Sequence, residues 1–286
     1  MKIGIAGLGL IGGSLARAIK RFTGHTVYVS NRTEAVARRA VEEGSADAVL
    51  TDEALSGLDM LFVCLYPQAT IDYIREKAPY IRRGSLVLDC SGVKSVVCEA
   101  LFPLAKRFGF EFIGGHPMAG RERSGYDASD AGLFAGASMI LVPDGGSDGE
   151  GVETVKRLCR EIGFGRVVIT GAQEHDRRIA YTSQLAHIVS GAYIKSDTAL
   201  LQSGFSAGSF RDMTRVAYLN EDMWTELFMD NRAPLAEEIK TLEGHLREYR
   251  LALENGDADV LRRLLREGRE RKEAVENSDC QSIKGV

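Results

Sequence analysis

A histidine held between glycines and a proline, in Gly114-Gly115-His116-Pro117-Met118-Ala119-Gly120, is the residue of this chain best placed to move a proton. Imidazole titrates near neutral pH, so a histidine whose backbone is restricted by such neighbours suits general-base work. It follows a short apolar run at residues 111–114, which puts it on a loop at the C-terminal edge of a strand, where open parallel sheets bind ligands. A second group, Gly7-Leu8-Gly9-Leu10-Ile11-Gly12, has the spacing of a turn that cradles a dinucleotide pyrophosphate. Gly7 permits the tight turn, Gly9 lets phosphates approach the backbone, and Gly12 lets the following helix pack on its strand. The anion then meets the free N–H groups at the positive end of that helix. A third group, Ser30-Asn31-Arg32-Thr33, closes the next apolar run about twenty residues on, where an adenosine ribose belongs. A carboxylate there would select NAD. Hydroxyl, amide and guanidinium groups instead suit the 2′-phosphate of NADP, so NADP is the expected cofactor and NAD the alternative.

These groups need a scaffold, and the apolar pattern supplies one. Up to about residue 170, candidate strands at 2–6, 26–30, 60–64, 86–89, 111–114, 139–142 and 166–169 alternate with helical stretches. Such alternation implies right-handed crossovers and a mostly parallel sheet covered by helices: an α/β, Rossmann-like dinucleotide-binding domain over 1–170. From residue 173 no strand pattern recurs, so 171–286 reads as an all-helical substrate-binding and dimerisation domain. Leu235, Ile239, Leu242, Leu246, Tyr249 and Leu253 recur at alternating spacings of four and three, a seam that wants another helix against it. Asp257 is placed to cap a last helix carrying Leu261, Leu264 and Leu265. A homodimer through these helices is expected, and the polar tail at 276–286 is expected to fray.

Composition narrows the class. With 286 residues the chain can bury a core in about two domains. A formal charge of −4 gives no basic field for nucleic acid. Cys64, Cys90, Cys98, Cys159 and Cys280 form neither a CxxC pair nor a zinc-spaced cluster, so no metal is expected and a reducing cytoplasm fits. No uninterrupted apolar stretch reaches the ~18 residues of a membrane span, and the chain's start reads as a strand rather than a signal peptide.

Six segments in order carry a resemblance: GLGLIGGSLA (7–16), DCSGVK (89–94), GGHPMAGRERSG (114–125), EHDRRIAYTSQLAH (174–187), SFRDMTRVA (209–217) and MWTELFMDN (223–231). In them the chain resembles the prephenate/arogenate dehydrogenases of tyrosine biosynthesis. The glycine turn is generic, whereas HPMAG followed a hundred residues later by FRDMTR is specific. The resemblance implies oxidative decarboxylation of a cyclohexadienyl substrate. His116 takes the C4 hydroxyl proton as hydride leaves C4 for the nicotinamide, the ring carboxylate departs as CO2, and aromatisation makes the step irreversible. By the same carry-over, His187 is the second active-site histidine and orients substrate, and Arg215 is the carboxylate-binding arginine. Arg211 lies four residues earlier, on the same face if the segment is helical. Glu122 matches the acidic residue beyond the HPMAG loop and is read as gating the substrate's way in, and Asn231 matches an asparagine near the active site.

Three departures bear on substrate choice. Gly92 stands where many members carry the serine of DxGSVK, leaving Ser91 or Ser95 to substitute. SHLPH becomes Ser183-Gln184-Leu185-Ala186-His187, and Arg121 replaces the usual threonine. The added cation favours prephenate over the amine-bearing arogenate, which is kept as the alternative. Imine and 3-hydroxyacid reductases pair the same kinds of domain, but the 3-hydroxyacid members depend on a lysine in the interdomain helix and residues 173–193 contain none. A non-catalytic NADP sensor would leave His116, His187 and Arg215 without a reason to coexist.

Overall fold

Strand β1 (Lys2–Ala6) is buried along all but its first residue, the mark of a strand covered on both faces. Around it a computed structural model, which describes residues 1–121, 123–146 and 149–284 with side chains to residue 277, builds an eight-stranded sheet in the order β3-β2-β1-β4-β5-β6-β7-β8. The other strands are β2 (Thr26–Ser30), β3 (Ala48–Val49), β4 (Met60–Val63), β5 (Leu86–Asp89), β6 (Glu111–Met118), β7 (Ser138–Pro143) and β8 (Arg166–Ile169). Every pairing is parallel except β6 with β7. The Rossmann-like, mostly parallel architecture read from the alternating pattern is therefore the one observed.

Helices α1 (Leu10–Phe22), α2 (Glu34–Glu42), α3 (Asp52–Leu55), α4 (Pro67–Lys77), α5 (Ser95–Phe108) and α6 (Glu150–Glu161) lie between the strands. Two apolar layers result. Ile3, Ile5, Leu15, Ile19, Phe62 and Leu158 belong to one, and Leu61, Val63, Ile74, Val87, Leu101 and Phe112 to the other. Each such side chain taken fully from water contributes about 1.5–3 kcal/mol. Local chemistry sets the helix limits: Pro67 opens α4, where its missing N–H costs nothing, and Gly109 ends α5 in a left-handed conformation (φ +81°). Beyond the sheet come α7 (Ala172–Ile179), a π-helical turn at Ala180–Leu185, α8 (Ala186–Tyr193), α9 (Gly208–Thr214), α10 (Glu221–Asp230), α11 (Arg232–Glu254) and α12 (Ala258–Lys284).

The chain divides into two compact units, Met1–Leu235 and Ala236–Val286. In the second, the Tyr249 hydroxyl of α11 donates to the Leu264 carbonyl of α12 (3.2 Å), and Asp257 accepts from Val260 N (3.0 Å) as the expected cap. Leu246 and Leu253 of the seam stay exposed. The tail expected to fray from residue 276 continues as helix to Lys284.

Two strands differ from expectation. The two-residue β3 is too short to leave a periodic signal. The sequence predicts a loop at His116, yet it lies within β6, paired across the antiparallel ladder with Ile140. The glycines before it look like loop formers but serve close approach: a Cβ at Gly115 would stand 2.4 Å from the Asp89 carbonyl oxygen, and one at Gly114 2.8 Å from Cys98 Sγ.

Candidate active site

Strand order reverses beside β1, whose neighbours are β2 on one side and β4 on the other, and a crevice at such a switch point is where nucleotides bind. The glycine turn fills that point. Gly7 has φ +91°, a region L side chains avoid, and its N–H donates to Ser30 O (2.8 Å). A Cβ on Gly12 would lie 1.9 Å from the Gly7 carbonyl oxygen, so only glycine lets α1 start this close to β1. Gly9 has nothing within 4 Å of where a Cβ would be, and as the α1 N-cap it makes no side-chain capping bond. The first N–H groups of α1, from Leu10, Ile11 and Gly12, are thus free to meet an anion, and the residues present fit a dinucleotide pyrophosphate. At the β2 tip, Asn31 Oδ1 accepts from Leu8 N (3.0 Å) and Asn31 Nδ2 donates to Thr33 O (3.2 Å), locking tip to turn. Ser30 hydrogen-bonds Tyr73, while Arg32 and Thr33 are exposed and Arg32 has no hydrogen bond or ion pair among the described residues.

Further along the same strand ends, His116 Nδ1 is 2.9 Å from His175 Nε2, and His175 Nδ1 is 2.7 Å from Asp176 Oδ1. The carboxylate can only accept, so His175 carries its proton on Nδ1 and presents a lone pair on Nε2. His116 must then donate through Nδ1, leaving its own Nε2 lone pair free. The partners therefore fix His116 in the tautomer a general base requires. Burial, the neighbouring His175 and the Lys94 ammonium hold His116 well below its ordinary value of 6.5, so it is neutral at physiological pH. His175 is lowered too, chiefly by burial, with Asp176 opposing.

Asp176 is fixed in turn by a helix start. Its carboxylate accepts from Lys94 N (2.7 Å) and Ser95 N (2.8 Å), and the Ser95 hydroxyl bonds it as well. A residue of α7 thereby satisfies orphan N–H groups of α5, and the positive end of that helix favours its charge. Beneath, the wholly buried Lys94 ammonium is paired with the wholly buried Asp89, whose other oxygen accepts from Gly115 N (3.0 Å). Asp89 so grips β6 one residue before the histidine.

The remaining expected site residues fall in three groups. Ser91 and Asn231 are buried and fully engaged. Ser91 Oγ lies among Asp89, Val93 O and Lys94 Nζ, and Asn231 Nδ2 donates to Asp176 O (2.8 Å) and Gln184 Oε1 (2.7 Å). His187 is partly exposed, its Nδ1 donating to Ser183 O (2.9 Å) and its ring centroid 4.0 Å from that of Trp224, with the two planes tilted by 33°. Arg211 and Arg215 are exposed on α9 and at its end, and α9 packs on the α8 helix that bears His187. Among the described residues no hydrogen bond ties His187, Arg211 or Ser91 to His116. Glu122 lies outside the described residues, and Arg121 is ion-paired with Asp130 (2.6 Å). A Cβ at Gly92 would come 3.4 Å from a Leu227 methyl of α10, so that helix abuts the place where a serine hydroxyl is missing.

Sequence reading missed His175, Asp176, Asp89 and Lys94. A signal existed for the first two: they share the buried face of α7 with Ile179, three and four residues on, so two ionisable groups occupy core positions.

Comparison with known proteins matches the two halves of the chain to two family descriptions. Residues 15–169 match "Prephenate dehydrogenase, nucleotide-binding domain" and residues 171–267 match "Prephenate dehydrogenase, dimerization domain". A cyclohexadienyl dehydrogenase of Zymomonas mobilis is 32% identical over 270 residues, 91% of this chain and 90% of that one. The crystal structure of Synechocystis arogenate dehydrogenase superposes with a TM-score of 0.80 at 27% identity, covering 96% of this chain and all of that one. A prephenate dehydrogenase from A. aeolicus, solved with hydroxyphenyl propionate and NAD+, shares the fold with a TM-score of 0.82 at 24% identity, over 96% and 98% of the two chains.

Proposed function

The chain belongs to the prephenate dehydrogenase family, and from that premise we propose how its residues carry out the oxidative decarboxylation of prephenate to 4-hydroxyphenylpyruvate. One observation carries the reading: the His116–His175–Asp176 chain, which leaves His116 Nε2 as an unprotonated acceptor on β6, in the same sheet as the strand that leads into the glycine turn. A nicotinamide dinucleotide, when bound, supplies the hydride acceptor. Gly7, Gly9 and Gly12, with the N–H groups of Leu10 and Ile11 and the neighbouring Leu8, hold its pyrophosphate. Ser30, Asn31, Arg32 and Thr33 face its ribose. The exposed guanidinium of Arg32, which has no ion pair among the described residues, and the missing carboxylate at that tip support a preference for NADP over NAD.

His116 Nε2 takes the C4 hydroxyl proton as the carbinol becomes a carbonyl, so negative charge does not build up on oxygen. The imidazolium that forms is offset through His175 by the Asp176 carboxylate. His187 keeps Nε2 for the substrate because Nδ1 is spent on Ser183 O. Arg215, with Arg211, grips carboxylate in the planar two-point manner guanidinium allows. Ser91, read as a substitute for the missing family serine, and Asn231, matched to an asparagine near the active site, act as braces in this reading, since their polar hydrogens are already engaged. Glu122 retains its proposed gating role. The helical half begins at residue 171, where the second family match starts, and pairs with a second copy. Leu200, Leu201, Phe205 and Tyr218, each at least 74% exposed, and the open seam positions Leu246 and Leu253 support a homodimer. A cytoplasmic setting accords with the free thiols of Cys64, Cys90, Cys98 and Cys159.

Arogenate is the second reading, supported by the similarity to the cyclohexadienyl and arogenate enzymes. Rates of nicotinamide reduction with prephenate or arogenate, each with NADP or NAD, decide among the four combinations. The expected optimum is prephenate with NADP, and His116→Ala is expected to bind cofactor normally while losing turnover by about two to four orders of magnitude. Undiminished turnover in that variant removes the general-base role.

A further inference from the structure

Strands β4 and β5 each end one residue before a cysteine. Val63 and Asp89 are register partners, so Cys64 and Cys90 occupy the next paired positions. The ladder continues through both: Cys64 N donates to Ala6 O (2.7 Å) and Cys90 N to Val63 O (3.0 Å). Adjacent strands lie about 4.8 Å apart, within the ~4.4–6.8 Å Cα separation a disulfide spans, and paired residues of a parallel sheet project to the same face. Both side chains pack against the same apolar layer, both are partly exposed, and both thiols are free. The neighbouring Cys64 thiol, with burial of the sulfur, holds the Cys90 thiol well above its ordinary value. Cys98 and Cys159, by contrast, are buried single thiols within α5 and α6.

The location gives the pair a consequence. Cys64 forms the floor of the glycine turn: a Cβ on Gly12 would stand 3.1 Å from Cys64 Cβ, and one on Gly7 2.6 Å from Cys64 O. A turn packed this closely cannot absorb a shift of Cys64 without moving the anion-binding N–H groups.

We propose that Cys64 and Cys90 form an oxidisable dithiol in the floor of the dinucleotide site, and that closing it to a disulfide under peroxide weakens cofactor binding. The Cys64 thiolate attacks one peroxide oxygen, the O–O bond breaks, and water leaves after protonation of hydroxide, giving Cys64 sulfenic acid. The Cys90 sulfur then attacks the Cys64 sulfur, the S–O bond breaks and a second water departs. Two thiols have lost two electrons and two protons, and one hydrogen peroxide has become two waters. A dithiol reductant reverses the step by exchange. The claim about cofactor rests on the nucleotide-binding reading above, whereas the disulfide itself does not.

The test treats the full-length protein with graded hydrogen peroxide, with and without saturating NADP or NAD. It reads Cys64–Cys90 cross-linked peptide by non-reducing peptide mass mapping, together with cofactor affinity by fluorescence titration. Expected are a cross-link that dithiothreitol removes, an at least tenfold loss of cofactor affinity that recovers with it, and slower cross-linking when cofactor is present. The recoverable loss is absent in Cys90→Ser and persists in Cys98→Ser/Cys159→Ser. Failure to form the cross-linked peptide in wild-type protein overturns the proposal, as does a recoverable loss of equal size in Cys90→Ser. A cross-link that forms while affinity stays unchanged refutes the coupling to the nucleotide site. Absence of cofactor binding in the reduced protein would instead refute the nucleotide reading and leave the cross-link result standing by itself.

Discussion

Replacing Asp176 by asparagine isolates what the buried carboxylate does. The native group receives three N–H donors, from His175 (2.7 Å), Lys94 (2.7 Å) and Ser95 (2.8 Å), shared between two oxygens. An amide keeps one oxygen. Aimed at His175 and Lys94, that oxygen retains two bonds, and the NH2 group then faces the Ser95 N–H, which is left without an acceptor at a cost of about 1–3 kcal/mol. The two surviving bonds lose their charge assistance, which makes such bonds roughly twice as strong as neutral ones. Together these place the destabilisation near 3 kcal/mol, or a fall in Tm of roughly 6–12 °C for a chain of this size. Catalysis should suffer separately. The Asp176 carboxylate raises the His116 pKa against burial, His175 and the Lys94 ammonium, so its loss lowers the proton affinity of the base further. Each unit of pKa lost is about 1.4 kcal/mol of weaker proton binding. Stopped-flow or steady-state reduction of the nicotinamide across pH 4.5–8 is the assay, with about a 10- to 100-fold fall in kcat expected and the acid limb moved to lower pH. A kcat within about twofold of wild type, with the acid limb unmoved, would show that His175 and Asp176 do not act on the base.

Four further outcomes follow from the same geometry. Gly12→Ala, whose Cβ would sit 1.9 Å from the Gly7 carbonyl oxygen, should unfold the turn and lower Tm by several degrees; Gly9→Ala, with open space around it, should leave Tm within about 2 °C yet weaken cofactor binding, and equal Tm values for the two would contradict the packing account. Lys94→Met strands the buried Asp89 charge and should cost about 3–5 kcal/mol in urea unfolding, so a loss below about 1 kcal/mol argues against a charged pair there. His116 and His175 have folded values held below 6.5, so between those values and 6.5 the unfolded chain binds more protons; stability is full above pH 6.5 and falls as pH drops below it, a trend that thermal melts should show and that should shrink in His116→Gln. Arg32→Glu should raise KM for NADP at least tenfold while sparing NAD, and unchanged discrimination moves the 2′-phosphate contact elsewhere.

What the sequence made legible was local. Strand, glycine turn and helix lie within twenty-two residues, and each glycine's task follows from its spacing, so the nucleotide crevice could be read directly. His116 could be singled out but not placed, because its strand is completed by an antiparallel partner more than twenty residues away and its neighbours, two glycines and a proline, are strand breakers by habit. His175 and Asp176 were hidden for the opposite reason: in Glu174-His175-Asp176-Arg177-Arg178 they look like part of a solvated charged face. Helical phase puts only His175 and Asp176 inward, while Glu174 pairs with Arg177 and Arg178 outside. The Asp89–Lys94 pair spans a strand end and a helix start, a closeness that exists only once the sheet has formed.

The cap that Asp176 places on α5 has a consequence for how this enzyme can be taken apart. One carboxylate both finishes a helix of the nucleotide-binding half and selects the tautomer of the base, so a fragment ending at residue 170 would lose both services in one cut. Such a fragment could still recognise a dinucleotide through its first thirty-three residues, but its imidazole would tumble between tautomers and its fifth helix would begin with bare amides. The same two hydrogen bonds thus tie the start of a helix in the sheet-bearing half to the residue that sets the base's tautomer.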